Sequence, residues 1–282
     1  MKIISRPKEI RNRIILAKKK GKLIGFVPTM GALHEGHLRL IRKARKDCDI
    51  VVVSIFVNPN QFGPKEDLNR YPRPIQKDIA LCRKEKVDYI FHPSTNDMYP
   101  AGFATHIEVE GMSGLLCGRS RPGHFRAVAT VVAKLFNIIN PDIAYFGQKD
   151  AQQAIIVKKM AFDLNMPPEI RVLPTARDDH GLAFSSRNVY LSRQEKEDAP
   201  VLFNSLNLAA MRIKSGLRDA RRITSRMRSL ILKKKSAKID YIAIVDTFTL
   251  EPMNKIYGEC LIALAVWIGK TRIIDNMIVR GR

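Results

Sequence analysis

Two histidines three residues apart, His34 and His37, stand on either side of Gly36 where an apolar run gives way to a polar one. The run before them, residues 23–27, predicts a buried strand, and the apolar spacing after them predicts a helix over residues 38–46. A strand, a glycine-bearing turn and a helix start together present backbone N–H groups to a phosphate. Two imidazoles add hydrogen-bond donors at the same place. This stretch therefore predicts a site for a nucleoside triphosphate.

Four further polar clusters lie at the ends of predicted elements. They are residues 54–63, residues 121–126, residues 146–150 with Gln153 one turn later, and residues 184–188. Each cluster alone is typical of an ordinary turn. Lys149 and Asp150 suit phosphate and ribose contacts or a Mg²⁺ shell. Because the carboxyl ends of parallel strands share one edge of a sheet, the clusters together predict a single crevice.

Strand-like and helix-like segments alternate through the first part of the chain. Apolar runs predict five strands, at residues 23–27, 50–57, 88–92, 143–146 and 170–173. Further helices are expected between them, over residues 74–86, 123–140 and 150–164. This alternation predicts an α/β fold with a Rossmann-like doubly wound parallel sheet that helices cover on both faces.

The pattern changes after about residue 175. Two helices, over residues 194–215 and 217–235, precede strand-like segments at residues 239–245, 260–268 and 271–279. Gly269 and Lys270 predict the turn between the last two strands. We expect a Rossmann-like domain over residues 1–176 and a smaller α+β C-terminal domain over residues 177–282.

The composition is unusual in its charge. The chain of 282 residues has a normal apolar content of 45% but a net charge of +22. Residues 212–238 contain eleven basic residues against a single acid, Asp219. A polyanion-binding surface is one interpretation. A solvated helical face is favoured, because neither an RNA-binding motif nor an aromatic residue accompanies the charges.

The same composition bounds the location of the protein. No segment is long and apolar enough for a membrane span, and no export signal follows the basic residues near the N-terminus. The four cysteines are scattered and form no close pair, which indicates neither a zinc site nor a disulfide framework. A cytoplasmic protein is expected, with no membrane partner.

Six stretches together resemble the pantoate–β-alanine ligase family, and they occur in the order in which that family has them. They are residues 28–37, 54–63, 71–73, 121–132, 146–153 and 181–192. The resemblance is specific up to about Ser192 and looser beyond it, and it extends to the wider nucleotidyltransferase superfamily. It implies that ATP, (R)-pantoate and β-alanine are converted to pantothenate, AMP and diphosphate through an enzyme-bound pantoyl adenylate.

The resemblance also implies the site residues. Those assigned to ATP are Met30, Gly31, Ala32, Leu33, His34, Glu35, Gly36, His37, Gly147, Gln148, Lys149, Asp150, Ala176, Phe184, Ser185, Ser186 and Arg187. Gln61 would contact pantoate and β-alanine, and Gln153 would contact pantoate. His37 would be the proton donor, and His34, Lys149 and Arg187 complete the expected catalytic set.

Further expectations concern cofactors and partners. The resemblance implies Mg²⁺, for which Asp150 is a candidate contact, although no direct side-chain ligand is assigned. It also implies a cytoplasmic homodimer in the pathway to coenzyme A, with small-molecule substrates. Nucleic acid is not expected as a partner.

Gln61 and Gln153 are neutral, which suits a substrate carboxylate that must act as a nucleophile. An arginine would form a bidentate pair with that carboxylate and lower its reactivity as a nucleophile. We therefore expect the two amides to orient pantoate without lowering the reactivity of its carboxylate. Three valines, Val128, Val131 and Val132, would pack on its gem-dimethyl group.

The sequence departs from the family pattern at three positions. His180 stands where Asp is usual, Ala176 where a Val usually contacts adenine, and Ala127 where a Gly often follows the arginine. Two other functions remain as alternatives. One is an adenylyl- or cytidylyltransferase that stops at a nucleotide conjugate, and the other is a nucleic-acid-binding protein built on the basic C-terminal region.

Overall fold

The computed structural model describes residues 1–64 and 66–281. Six parallel strands form the larger sheet, in the spatial order β1-β4-β3-β2-β5-β6. Their bounds are β1 (Lys2–Ile4), β2 (Ile24–Thr29), β3 (Ile50–Ile55), β4 (Tyr89–Phe91), β5 (Ile143–Gly147) and β6 (Glu169–Leu173).

Helices cover both faces of this sheet. Their bounds are α1 (Pro7–Lys18), α2 (Glu35–Asp47), α3 (Ile75–Lys84), α4 (Thr95–Met98), α5 (Cys117–Ser120), α6 (His124–Ile139) and α7 (Ala151–Asp163). Side chains of α1, α6 and α7 share one apolar core, and those of α2 and α3 share another. Successive strand residues alternate between the two cores, as Phe26 and Val27 do. The predicted doubly wound α/β fold is confirmed.

The order of the strands in the larger sheet indicates where a ligand would bind. Beyond β2 the chain builds the sheet outward through β3 and β4, whereas β5 lies on the other side of β2 and is followed by β6. Gly25 of β2 pairs with Ile143 of β5, so the carboxyl ends of these strands are neighbours. Ligands of such sheets bind where the order reverses, at the carboxyl ends of the strands. The segments that follow β2 and β5 therefore border the expected crevice.

The rest of the chain forms a smaller α+β unit with an antiparallel sheet in the order β7-β8-β9. Its elements are α8 (Arg193–Asp198), α9 (Val201–Lys214), α10 (Ala220–Ile231), β7 (Ala237–Asp246), β8 (Glu259–Ile268) and β9 (Thr271–Arg280). Helices α9 and α10 pack on one face of this sheet. Gly269, with φ +57°, lies in the turn between β8 and β9, as the sequence predicts.

The two units are in close contact. Val245, Leu261 and Ala263 of the smaller sheet are buried in the same core as α6 and α7. The domain boundary at residues 176 and 177 stays a prediction. No helix in the described part of the chain combines the length and apolar character that a membrane crossing requires.

Several elements differ from the expected ones, and two of these differences have a clear reason. The helix expected over residues 194–215 is split into α8 and α9 at Pro200, whose ring removes an N–H donor and clashes with the preceding turn. At the N-terminus, β1 and α1 were not expected. β1 is only three residues long and is defined by its pairing with β4, a contact that no local pattern reveals.

Candidate active site

The two histidines lie at the start of α2, where β2 ends. His34 is the N-cap residue, and its ring stacks on that of His37 with 4.0 Å between centroids. Phe184 lies near-parallel to His34 at 6.4 Å. A Cβ on Gly36 would come within 2.9 Å of His34 Cε1, so any other residue here would push this ring from its place. The His-x-Gly-His spacing thus builds a stacked imidazole pair.

Both imidazoles are neutral at pH 7 in the free protein. Burial, with the nearby Lys149 charge, lowers the pKa of His34 from 6.5 to about 4. Burial, followed by His34 and Lys149, holds the pKa of His37 well below its usual value. His37 Nδ1 accepts a hydrogen bond from His34 N at 3.4 Å, so the proton of neutral His37 is on Nε2. The pair can donate hydrogen bonds without carrying charge.

The backbone N–H groups of the turn between β2 and α2 do not face the crevice, contrary to the sequence-based expectation. Those of Ala32 and Leu33 donate to the buried carboxylate of Asp78, at 2.8 Å each, rather than facing the crevice. In the described part of the chain, the N–H groups of Glu35 and Gly36, the first of α2, have no acceptor. The donors for a phosphate are therefore at the helix start and not in the turn before it.

The end of β5 brings a cation to the same place. A 3₁₀ turn, Gln148–Asp150, follows the strand and holds Lys149, whose side chain is 18% exposed. Lys149 Nζ lies 3.5 Å from Asp150 Oδ1. Asn276 of β9 donates to the carbonyl oxygens of Gln148 and Lys149, at 2.8 Å each. The smaller sheet thus fixes the turn that carries Lys149.

The predicted pantoate amides face the same cavity of about 370 Å³. Gln61 Nε2 donates to Met30 Sδ at 2.7 Å, and Gln61 Oε1 accepts from Asn58 Nδ2 at 3.3 Å. Gln153, in the first turn of α7, contributes the second amide. The three valines also line this cavity: Val128, Val131 and Val132. An apolar wall and neutral amides therefore occur together, as expected for a small branched hydroxy acid.

Two arginines beside the cavity are paired with consecutive carboxylates of one loop. Arg187 Nε and Nη2 donate to Asp67 at 2.9 and 2.7 Å, and Arg121 donates twice to Glu66 at 2.6 Å. Burial alone would raise the pKa of Asp67, but the Arg187 guanidinium brings it below the usual value. Arg187 is thus held as a cation close to Ser186 and the imidazoles.

Most of the expected site residues line the 370 Å³ cavity: Met30, His34, Gly36, His37, Gln61, Gly147, Lys149, Asp150, Gln153, Ala176, Phe184, Ser185, Ser186 and Arg187. A larger adjoining cavity of about 1080 Å³ shares Lys149, Asp150, Gln153, Ser185 and Arg187 with it. Cavities of this size accommodate nucleotide-sized ligands.

Five expected ATP residues do not line that cavity: Gly31, Ala32, Leu33, Glu35 and Gln148. Leu33 is buried in the core, and the Glu35 carboxylate pairs with Arg42 at 2.6 Å. The Gln148 side chain lies 3.4 Å from Asn276 Oδ1. In Leu33, Glu35 and Gln148 the side chain thus makes contacts away from the cavity.

His180 and Ala176 lie in a loop that hydrogen bonds close on itself. His180 is exposed, and its N–H, like that of Leu182, donates to Asp178 Oδ1. Asp178 therefore anchors the turn that leads to Ser185. The Ala176 carbonyl accepts from the N–H of Phe184 at 3.0 Å, which ties the two sides of this loop together.

Sequence reasoning missed Asp78, Asn276 and Thr175. Thr175 Oγ1 and His34 Nδ1 are buried without a hydrogen-bond partner among the described residues, and both residues line the cavity. Buried polar atoms normally have partners, so these two suit a polar ligand. A threonine two residues after the predicted strand of residues 170–173 was the available signal for Thr175, whereas Asp78 had none.

Comparisons with known proteins find relatives along nearly the whole chain. The sequence model of the family described as Pantoate-beta-alanine ligase matches residues 2–278. A pantothenate synthetase of Caldicellulosiruptor saccharolyticus is 53% identical over 279 residues, covering 99% of each chain. One of Pelotomaculum thermopropionicum is 54% identical over 271 residues, covering 96% of each.

Solved structures show the same relationship. Pantothenate synthetase from Thermus thermophilus superposes with a TM-score of 0.92 at 41% identity, covering 98% of this chain and 99% of that one. Pantoate-beta-alanine ligase from Francisella tularensis, complexed with beta-gamma ATP and beta-alanine, gives 0.80 at 37% identity, covering 99% and 97%. On this evidence from nearly its whole length, the chain belongs to the pantoate–β-alanine ligase family.

Proposed function

We propose that this ligase forms pantoyl adenylate in the crevice between the carboxyl ends of β2 and β5, with the roles below for its residues. One observation carries the assignment. The neutral imidazoles of His34 and His37, the Lys149 ammonium and the neutral amides of Gln61 and Gln153 line one cavity. Hydrogen-bond donors for the triphosphate thus line the same cavity as neutral amides, which leave the pantoate carboxylate reactive.

In the first step, an oxygen of the pantoate carboxylate attacks the α-phosphorus of ATP, and diphosphate leaves. Little covalent chemistry falls to the protein, so positioning and charge stabilisation provide the catalysis. His34, His37 and Lys149 donate to phosphate oxygens, each charge-assisted bond contributing roughly 1.5–3 kcal/mol. The Nε and Nη2 groups of Arg187 donate to Asp67 in the free protein. Arg187 therefore releases Asp67 when it donates to phosphate oxygens.

In the second step, the neutral amine of β-alanine attacks the acyl carbon of pantoyl adenylate. The C–N bond forms, the acyl–oxygen bond to AMP breaks, and the amine loses a proton. Gln61 and Gln153 keep the pantoyl group in place during this exchange. The protonated amine does not react, so turnover rises with pH until another group becomes limiting.

Mg²⁺ is proposed as the metal that accompanies ATP. The described residues contain no cluster of three or more candidate ligands that would form a cage of protein groups. The Asp150 carboxylate, 47% exposed beside Lys149, fits a metal held by one carboxylate and substrate phosphates. When bound, Mg²⁺ would neutralise part of the triphosphate charge.

Two broader proposals concern the setting of the enzyme. The family resemblance supports a homodimer, which light scattering on the purified protein would test. The four cysteines are all free thiols in the structure, which supports a reducing compartment such as the cytoplasm.

The test of the function measures AMP release with ATP and pantoate, with and without β-alanine. A ligase releases AMP at the full rate only when the amine is present, because the adenylate otherwise stays bound. Full-rate AMP release without β-alanine would contradict the proposal. A nucleotidyltransferase that stops at the conjugate would instead release diphosphate and no AMP, whether or not the amine is added.

The role of Gln153 has its own test. Removing its amide in Gln153→Ala should raise the KM for pantoate by about tenfold, because an oriented hydrogen bond is lost. The KM for ATP should stay within about twofold. Steady-state kinetics with each substrate varied in turn measures both. Equal losses for pantoate and ATP would contradict the assignment.

A further inference from the structure

Asp78 is a buried carboxylate that lies in the first turn of α3, outside the expected site. It is 1% exposed, although Asp is seldom fully buried unless it is paired. Its two oxygens accept from the N–H groups of Ala32 and Leu33 at 2.8 Å each. One side chain of α3 thus holds two consecutive backbone groups of the turn between β2 and α2.

That turn has a backbone conformation that needs support. Ala32 has φ +49°, in the left-handed region that residues with a Cβ seldom adopt, and Gly31 has φ +81°. A Cβ on Gly31 would lie 3.0 Å from Asp78 Oδ2, so the carboxylate also packs against the turn. Strained backbone persists only where its surroundings hold it. Burial raises the pKa of the Asp78 carboxyl, and the hydrogen bonds from the N–H groups of Leu33 and Ala32 act in the opposite direction by favouring its charged form. Two hydrogen bonds to one carboxyl group hold the turn in this conformation.

The residue after this turn is His34. Its N–H donates to His37 Nδ1, so the position of one histidine fixes the orientation of the other. The turn, held by Asp78, therefore sets the depth and angle at which the stacked pair enters the cavity. It also leaves the N–H groups of Glu35 and Gly36 as the backbone donors at the helix start.

We propose that Asp78 is a positioning residue for the adenylation step, acting through the turn of Ala32 and Leu33 on His34 and His37. The inference rests on the proposed function, because it assigns the two histidines to the triphosphate. Asp78 itself does not line the cavity and touches no substrate. Its effect should therefore fall on the step in which diphosphate leaves, and not on the aminolysis that follows.

A second carboxylate provides a matched control. Asp142 accepts from the N–H of Ile24 at 2.7 Å and pairs with Lys18. It thus holds the first residue of β2, whereas Asp78 holds the turn after the last. Asp142 lies at the amino-terminal end of β5, whereas the site lies at the carboxyl ends of the strands, and it lines neither cavity. Replacing it removes a comparable backbone contact without touching the site.

The experiment compares Asp78→Asn with Asp142→Asn in two half-reactions. Pantoate-dependent exchange of labelled diphosphate into ATP reports adenylation. AMP release from synthetic pantoyl adenylate and β-alanine reports aminolysis. Asparagine keeps the shape of the side chain but turns an NH₂ group toward one of the two N–H donors. Asp78→Asn should slow exchange about tenfold more than aminolysis, because misplaced donors lose transition-state stabilisation.

The outcomes separate positioning from mere stability. Asp142→Asn should lower both half-reactions by the same factor, in line with any loss of folded protein. If Asp78→Asn proves unfolded in a thermal melt, Asp78→Glu keeps the charge, displaces the turn and should show the same selective loss. Equal loss in both half-reactions, or exchange within about twofold of the unmutated protein, would overturn the proposal. Lack of exchange by the unmutated protein would instead refute the proposed function.

Discussion

At the scale of single residues, the charge state of His34 and His37 would determine how they contact ATP in the proposed site. A buried imidazolium beside Lys149 would be unfavourable, so both rings are neutral before the nucleotide binds. A triphosphate placed against them reverses this balance, because a nearby anion favours the protonated ring. His37 can thus act as the proton donor that the resemblance implies only after its ligand has arrived.

The pKa of His34 should therefore depend on ATP. In the free protein the ring should titrate with a pKa of about 4, and bound ATP should raise it toward or above the usual 6.5. NMR of protein labelled in its histidine rings, recorded across pH with and without the nucleotide, measures the shift. Adenosine is the control, because it lacks the phosphates. An equal shift with adenosine would contradict the assignment of His34 to the triphosphate.

The same depressed pKa predicts a direction for stability. The unfolded chain binds the His34 proton at pH values where the folded protein does not. Folding stability should thus fall as the pH drops from about 6.5 to about 4 and should gain nothing from this group above that range. The thermal midpoint across pH checks the sign, and stability that rises on acidification through this window would contradict it.

Loss of His37 should act on turnover and not on folding. His37→Ala should reduce pantothenate formation by about two orders of magnitude, because a preorganised donor is removed. His180→Ala is the matched control, since this histidine is exposed and its only hydrogen bond in the described structure is made by its backbone N–H. Circular dichroism would show both variants folded. Turnover of His37→Ala close to that of the control would exclude the role.

Residue types and spacing along the chain anticipated part of this site. The glycine between the histidines, the amides after strands and Lys149 were visible because each follows a buried strand. Asp78 and Asn276 were not, because they bond to groups 46 and 127 positions away along the chain. A single carboxylate in a charged helix carries no signal of such a partner. Contacts of this kind are set by how the helices and sheets pack.

At the scale of elements, β9 links the smaller sheet to the proposed nucleotide site. Asn276 is 4% exposed and bonds to the turn of Lys149, while its neighbour Asp275 pairs with Arg177 at 2.6 Å. The continuous apolar runs allowed the buried strands to be predicted, but not which strand end would contact which loop. The smaller sheet is therefore part of the framework of the candidate active site.

Removing the Asn276 amide should weaken ATP binding from a distance. Asn276→Ala frees the carbonyl groups of Gln148 and Lys149, so the KM for ATP should rise about three- to tenfold as Lys149 loses its fixed position. The KM for pantoate should change less. Asn204→Ala, an exposed position on α9 of the same unit, is the control. An unchanged KM for ATP would show that the turn holds itself in place.

At the scale of the whole molecule, the net charge is +22, and α10 carries four arginines and no acidic residue. Its apolar face, with Ile223 and Met227, is buried, while its arginines are exposed. They are Arg221, Arg222, Arg226 and Arg228. This arrangement favours the solvated-face interpretation over a built binding site, because these side chains line neither of the two cavities. Mutual repulsion of such charges lowers stability at low salt.

Arg222 is the position where this repulsion should be easiest to relieve. Asp219 caps α10 by accepting from the N–H of Arg222, so a cation stands at the positive end of the helix dipole. Glutamate at position 222 would complete a capping box with Asp219 and end the like-charge contact with Arg226 one turn later. Arg222→Glu should therefore stabilise the protein by about 0.5–1 kcal/mol.

The substitution should also reduce the rise in thermal midpoint between about 20 mM and 500 mM KCl, because less repulsion remains to be screened. Turnover should be unchanged, since α10 lines neither cavity. A lower midpoint at low salt, or a steeper salt dependence than that of the unmutated protein, would show that α10 meets attractive rather than repulsive charge.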